Sequence, residues 1–98
     1  MTKVFISQPM NGKTNEQIRI EREGVIHNLI ERGFEIIDTV ISDNPPSTVK
    51  DSIWYLGKSI LMLAQANAAY FMYGWRDARG CIIEHEIVLK YNVPIIHD

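Results

Sequence analysis

The sequence predicts a small doubly wound α/β domain, with four parallel strands in the order 2-1-3-4 and three helices. Short apolar runs alternate with longer segments of helical period, in the order β-α-β-α-β-α-β. Right-handed crossovers between such strands give a parallel sheet covered on both faces. Glycine, proline and asparagine punctuate the joins.

The first run, Lys-Val-Phe-Ile-Ser at 3–7, is a buried strand, β1. Pro9 and Gly12 mark the loop after it, residues 8–14. Thr14 followed by Gln17 has capping-box spacing, so a helix α1 is expected over 15–32. Ile18, Val25, Ile26 and Leu29 form its apolar stripe, Gly24 is assigned to close packing, and Gly33 ends it. Strand β2 is expected over 34–38. The polar stretch 39–52, with Asn44-Pro45-Pro46 at its middle, reads as a long flap. Helix α2 follows, from 48 or 51 to 66, with Ile53, Leu56, Ile60, Leu63 and Ala64 at helical spacing. Strand β3 (68–72), helix α3 (80–91) and strand β4 (93–97) complete the chain.

The 98 residues make one domain, 1–98, with a net charge of −2 and no basic stripe, which argues against a grip on polymeric nucleic acid. A single cysteine, Cys81, excludes an internal disulfide and fits a reducing cytoplasm. No apolar run approaches the roughly 18 residues of a membrane span. Met1-Thr2-Lys3 leads directly into a strand, so no signal peptide is expected.

The chemistry is expected where the strand order reverses, outside the carboxyl ends of β1 and β3. The loops there are 8–14 and 73–79, and the second leads into α3 and Glu84. At 100° per residue from Gly80, Glu84 shares an arc with Ile83, Ile87, Val88 and Tyr91, while His85, Glu86 and Lys90 face outward. A carboxylate on a packing face must pair, hydrogen-bond or hold its proton. It is either a buried structural acid or a nucleophile or acid/base with a tuned pKa. The two readings stand about even on spacing alone.

Arg79-Gly80 at the start of α3 suits a phosphate or carboxylate, although a plain strand-to-helix turn uses glycine equally well. Arg76 and Lys13 would add charge nearby. Adjacent residues on a helix point about 100° apart, so Glu84-His85-Glu86 cannot converge on one metal ion. No metal and no cofactor are expected. His27 and His97 read as surface or packing residues, and Cys81 as a small buried residue rather than a reactive thiol. Of the aromatics that could stack on a base, Trp54, Tyr55 and Trp75, the last is preferred because it lies in the crevice loop.

At these residues the chain resembles the nucleoside 2-deoxyribosyltransferase-like family, in its small phage- and bacterial-type branch. The resemblance lies in Val4-Phe5-Ile6-Ser7-Gln8-Pro9-Met10-Asn11-Gly12, in Trp54 and Tyr55, and in Gly74-Trp75 through Gly80-Cys81-Ile82-Ile83-Glu84. Asn92-Val93-Pro94-Ile95-Ile96 also fits, so nearly the whole chain is covered in order. It implies cleavage of the N-glycosidic bond of 2′-deoxynucleosides or their 5′-monophosphates. Glu84 would be the nucleophile, forming a covalent deoxyribosyl-enzyme that water or a second base resolves. Ser7, Gln8, Pro9, Met10 and Gly12 would line the sugar or phosphate pocket, with Trp75, Ala78, Arg79 and Gly80 opposite. A homodimer or larger assembly is implied.

The sequence departs from that pattern at four positions. Ser59 stands where the family often has an aspartate that assists proton transfer, and Ala78 where a serine often contacts phosphate. Gln8 replaces a glycine, and Asn67 an aspartate. Arg79 or Lys58 is the candidate substitute for the missing helper. A binding module for a nucleotide-like small molecule, without catalysis, is the alternative reading. A third is an interaction domain with Ile82 and Leu89 at a subunit contact.

Overall fold

The computed structural model describes residues 1–37, 41 and 43–97. The elements are β1 (Lys3–Ser7), α1 (Asn15–Glu31), β2 (Glu35–Ile36), α2 (Asp51–Leu63), β3 (Ala68–Phe71), α3 (Arg79–Lys90) and β4 (Ile95–Ile96), with a 3-10 turn at Trp75–Asp77. The four strands are parallel in the order β2-β1-β3-β4. β1 and β3 pair over four positions, Val4 with Ala68 through Ser7 with Phe71.

Alternation along the central strands sorts the core into two layers. Val4, Ile6, Tyr70 and Met72 face Leu29, Val25 and Ile26 of α1. Phe5 and Ala69 face Leu63 of α2 and Val88 of α3. Phe5, Leu29 and Val88 are almost wholly buried, each contributing about 1.5–3 kcal/mol through removal of apolar surface from water.

The helix ends follow local chemistry. Thr14 accepts from the Gln17 backbone N–H and the Gln17 side chain accepts from the Thr14 N–H, so both arms of the capping box form. Gly33 follows α1 with φ +91°, a left-handed position that favours glycine. Gly74 does the same after β3, with φ +89°, and turns the chain into the 3-10 turn that delivers α3.

Several expectations are corrected. A Cβ at Gly24 would meet nothing within 4 Å, so close packing does not explain that glycine. Ile53 and Ala64 of α2 are exposed, with Leu63 buried and Leu56 and Ile60 half-buried, because the predicted stripe spans more arc than one sheet face covers. On α3 the inward positions are Cys81, Glu84 and Val88, while Ile83 and Tyr91 are exposed. The helix is rotated so that the small Cys81 fits against the sheet at its first turn. His85 is half-buried rather than free on the surface: its ring stacks on Trp75 at 4.0 Å and meets Phe71 edge-on. The expected flap 39–52 lies in part outside the described residues; within the described part, Asp43 pairs with Lys58.

Candidate active site at the strand reversal

Glu84 reaches the carboxyl end of β1 from the second turn of α3 and is 5% exposed. Two hydroxyls hold it. Ser7 Oγ, at the last position of β1, donates to Glu84 Oε1 at 2.6 Å in a fully buried contact. Ser59 Oγ, on α2, donates to Oε2 at 2.5 Å on the partly buried side. Both carboxylate oxygens are therefore occupied, by donors from two different elements.

Burial raises the Glu84 pKa above the ordinary 4.5, against the opposing pull of the Ser59 and Ser7 hydroxyls. Burial also pushes the Cys81 thiol up from 9.0; Ser7 opposes this and the Glu84 charge adds to it. Cys81 thus behaves as the small packing residue that its sequence context suggests.

A cavity of about 650 Å³ opens above this carboxylate, a volume suited to a small organic ligand. Its walls come from both sides of the sheet. The β1 loop supplies Gln8, Met10 and Asn11; α1 supplies Asn15, Ile18 and Arg22; α2 supplies Ser52, Tyr55, Leu56 and Ser59. Ala78, Arg79, Gly80, Cys81 and Glu84 close it from the start of α3. Glu84 is the one carboxylate among these described lining residues, which also include the guanidinium groups of Arg22 and Arg79.

Of the residues singled out from sequence, Glu84, Ser59, Gln8, Met10, Ala78, Arg79 and Gly80 meet at the cavity. Ser7 lies beneath it and touches the carboxylate instead. Pro9 is buried against Gly74, with its Cγ 3.7 Å from the position of a Cβ there. Gly12 is exposed, and Trp75 is taken up by His85 and Arg76 rather than lining the cavity. Tyr55 is the aromatic in the wall. Lys58 pairs with Asp43 and lies over Trp54, so Arg79 is the helper candidate that borders the cavity. Arg22 and Ser52 carried no sequence signal, since neither lies in a motif.

Gln8 has a double role. Its Nε2 donates to the Ile18 carbonyl at 2.8 Å, tying the β1 loop to α1. Its Oε1 is buried without a hydrogen-bond partner, an acceptor left open beside the cavity. Among the described residues no cluster of three or more His, Cys, Asp or Glu could hold a metal ion, and no helix is long and apolar enough to cross a membrane.

Fold and site together define a small parallel α/β domain with a hydroxyl-clamped carboxylate at its topological switch point. Residues 2–97 match the family described as a domain of unknown function (DUF4406), and the chain belongs to that family. No curated protein and no solved structure matches the chain.

Proposed function

We propose that the protein cleaves, or transfers the sugar of, the N-glycosidic bond of 2′-deoxynucleosides or their 5′-monophosphates, with Glu84 as nucleophile. The observation that carries this reading is the placement of Glu84 in the cavity wall with both oxygens held by serine hydroxyls. A carboxylate fixed in this way loses little freedom on reaching the attack geometry. Oε1 stays bonded to Ser7 below, and Oε2, on the cavity side with Ser59, attacks C1′. The ester formed is then opened by water or by a second base. Arg79 and the start of α3, where no side chain caps the helix, suit a 5′-phosphate.

The test is release of free base from the four deoxynucleosides and their monophosphates, with Glu84→Ala alongside. The expected rate for Glu84→Ala is below about a thousandth of wild type. Equal release by the two proteins, or none by either, removes the reading.

A non-catalytic nucleotide-binding module is the second reading, favoured by Ser59 and Ala78 in place of an acid and a phosphate ligand and by the open acceptor on Gln8. It predicts a ligand-dependent rise in melting temperature without base release. Assembly into homodimers belongs to both readings. Ile82 and Leu89 on α3, and Ile53 and Leu61 on α2, are exposed apolar residues with which a second copy would fit. Sedimentation as a monomer would count against it.

A further inference from the structure

Glycosidic cleavage has two halves, and the cavity provides visibly for one of them. The nucleophile bonds to C1′ while the base leaves with the electron pair of the C1′–N bond. A neutral base leaves as an anion unless something protonates it, and such general-acid help is worth about 10²–10⁴ in rate. On the reading of Glu84 as nucleophile, its carboxylate is committed to C1′. The remaining titratable groups among the described lining residues are Arg22, Arg79, Tyr55 and Cys81. None of these is an imidazole or a carboxylic acid, the side chains best matched to protonating a leaving base. Ser59, at the position where the family resemblance implies an aspartate, is an alcohol whose hydrogen bond goes to Glu84 Oε2 at 2.5 Å.

Among the described residues lining the cavity, Glu84 has no second carboxylic acid or imidazole beside it, an arrangement that suits a leaving group needing no proton. We propose that the preferred substrates are N-glycosides whose base carries a formal positive charge at or conjugated to the glycosidic nitrogen, such as N-alkylated purine or pyridinium nucleotides. The inference rests on the glycosyl-transfer reading above. The electrons balance without an acid: Glu84 Oε2 bonds to C1′, the C1′–N pair returns to the base, and the cationic base departs neutral. Water then attacks C1′, Oε2 leaves as carboxylate, and the proton of the water passes to solvent. The half-exposed ring of Tyr55 and the charge of Glu84 both favour a cationic base in the cavity. Arg79 at the wall favours a phosphate on the sugar, which offsets the positive charge of the ligand.

The experiment compares N7-methyl-2′-deoxyguanosine 5′-monophosphate with unmodified 2′-deoxyguanosine 5′-monophosphate. Base release by wild type is corrected by release from the same compound with Glu84→Ala, which removes spontaneous loss. The expected ratio of kcat/KM is at least about a hundredfold in favour of the methylated nucleotide. Ser59→Asp, which places a carboxylic acid against Glu84, is expected to raise the rate on the unmodified nucleotide and narrow that ratio. A wild-type ratio below about ten shows that the protein supplies the proton; it overturns the inference and leaves glycosyl transfer standing. Absence of Glu84-dependent release from both compounds overturns the glycosyl-transfer reading and the inference with it. Should Ser59→Asp fail to fold, the wild-type ratio alone decides.

Discussion

Ser7 and Glu84 are 77 residues apart in the chain, yet the Ser7 hydroxyl lies 2.6 Å from the Glu84 carboxylate in a buried contact. The last residue of the central strand thus fixes the acid on the last helix. Removing the hydroxyl leaves one carboxylate oxygen unsatisfied in a buried place, at a cost of about 1–3 kcal/mol. Ser7→Ala is therefore expected to lower stability in urea by that amount. It is also expected to raise the Glu84 pKa further, moving the acid limb of the base-release profile to higher pH. An unchanged profile would show that Ser7 does not act through Glu84.

The raised pKa of Glu84 fixes the sign of a pH effect. The folded protein holds this proton at pH values where the unfolded chain has lost it. The stabilisation is complete below the unfolded value, near 4.5, and is lost as pH rises through the higher folded value. Compared with Glu84→Gln, the wild type should melt progressively lower as pH climbs through that window. Base release should run the opposite way, falling as pH drops and the nucleophile takes up its proton. Thermal melts of both proteins, run from below the unfolded value upward in pH, test the first. A pH–rate profile tests the second.

Tyr55 and Trp75 separate ligand binding from packing. Trp75→Ala removes the stack with His85 and the contact with Phe71, so it is expected to lower the melting temperature and leave nucleotide affinity within about twofold. Tyr55→Ala removes an aromatic from the cavity wall and is expected to weaken binding by about tenfold. Titration calorimetry with both variants checks the pair, and the reverse pattern would restore Trp75 as the base-stacking residue.

Gly24 sits inside α1 with open space where a Cβ would go. Gly24→Ala should stabilise the protein by about 0.5–1 kcal/mol, through helix propensity and lower entropy of the unfolded chain. Destabilisation in a urea melt would mean that the position is held by a contact outside this chain.

The central features of the fold were legible because local and global signals agree in them. β1 ends where its apolar run meets a serine, and the Thr14–Gln17 pair sets the start of α1 to the residue. β2 and β4 came out longer from sequence than their two observed residues, because apolar content does not say where an edge strand stops pairing. The burial of Glu84 was readable from spacing, but the rotation of α3 was not. Cys81 takes the inward place expected of Ile83, and helical period alone cannot rank a small inward residue above a large one. The clamp itself was hidden for a different reason. Ser7 stood out only as part of a loop motif; the strand order puts β1 beside β3 but does not say which side chain at the end of β1 meets which residue of α3.

The two flanking strands, Glu35–Ile36 and Ile95–Ile96, are a pair of residues each. A sheet edge this short exposes few unpaired backbone N–H and C=O groups, and Glu35 places a charge on one of the two. Another chain seeking to add a strand finds almost no template there. The same truncation that leaves the sheet narrow should keep the protein dispersed when it is concentrated, and directs any self-association to its helical faces rather than to its edges.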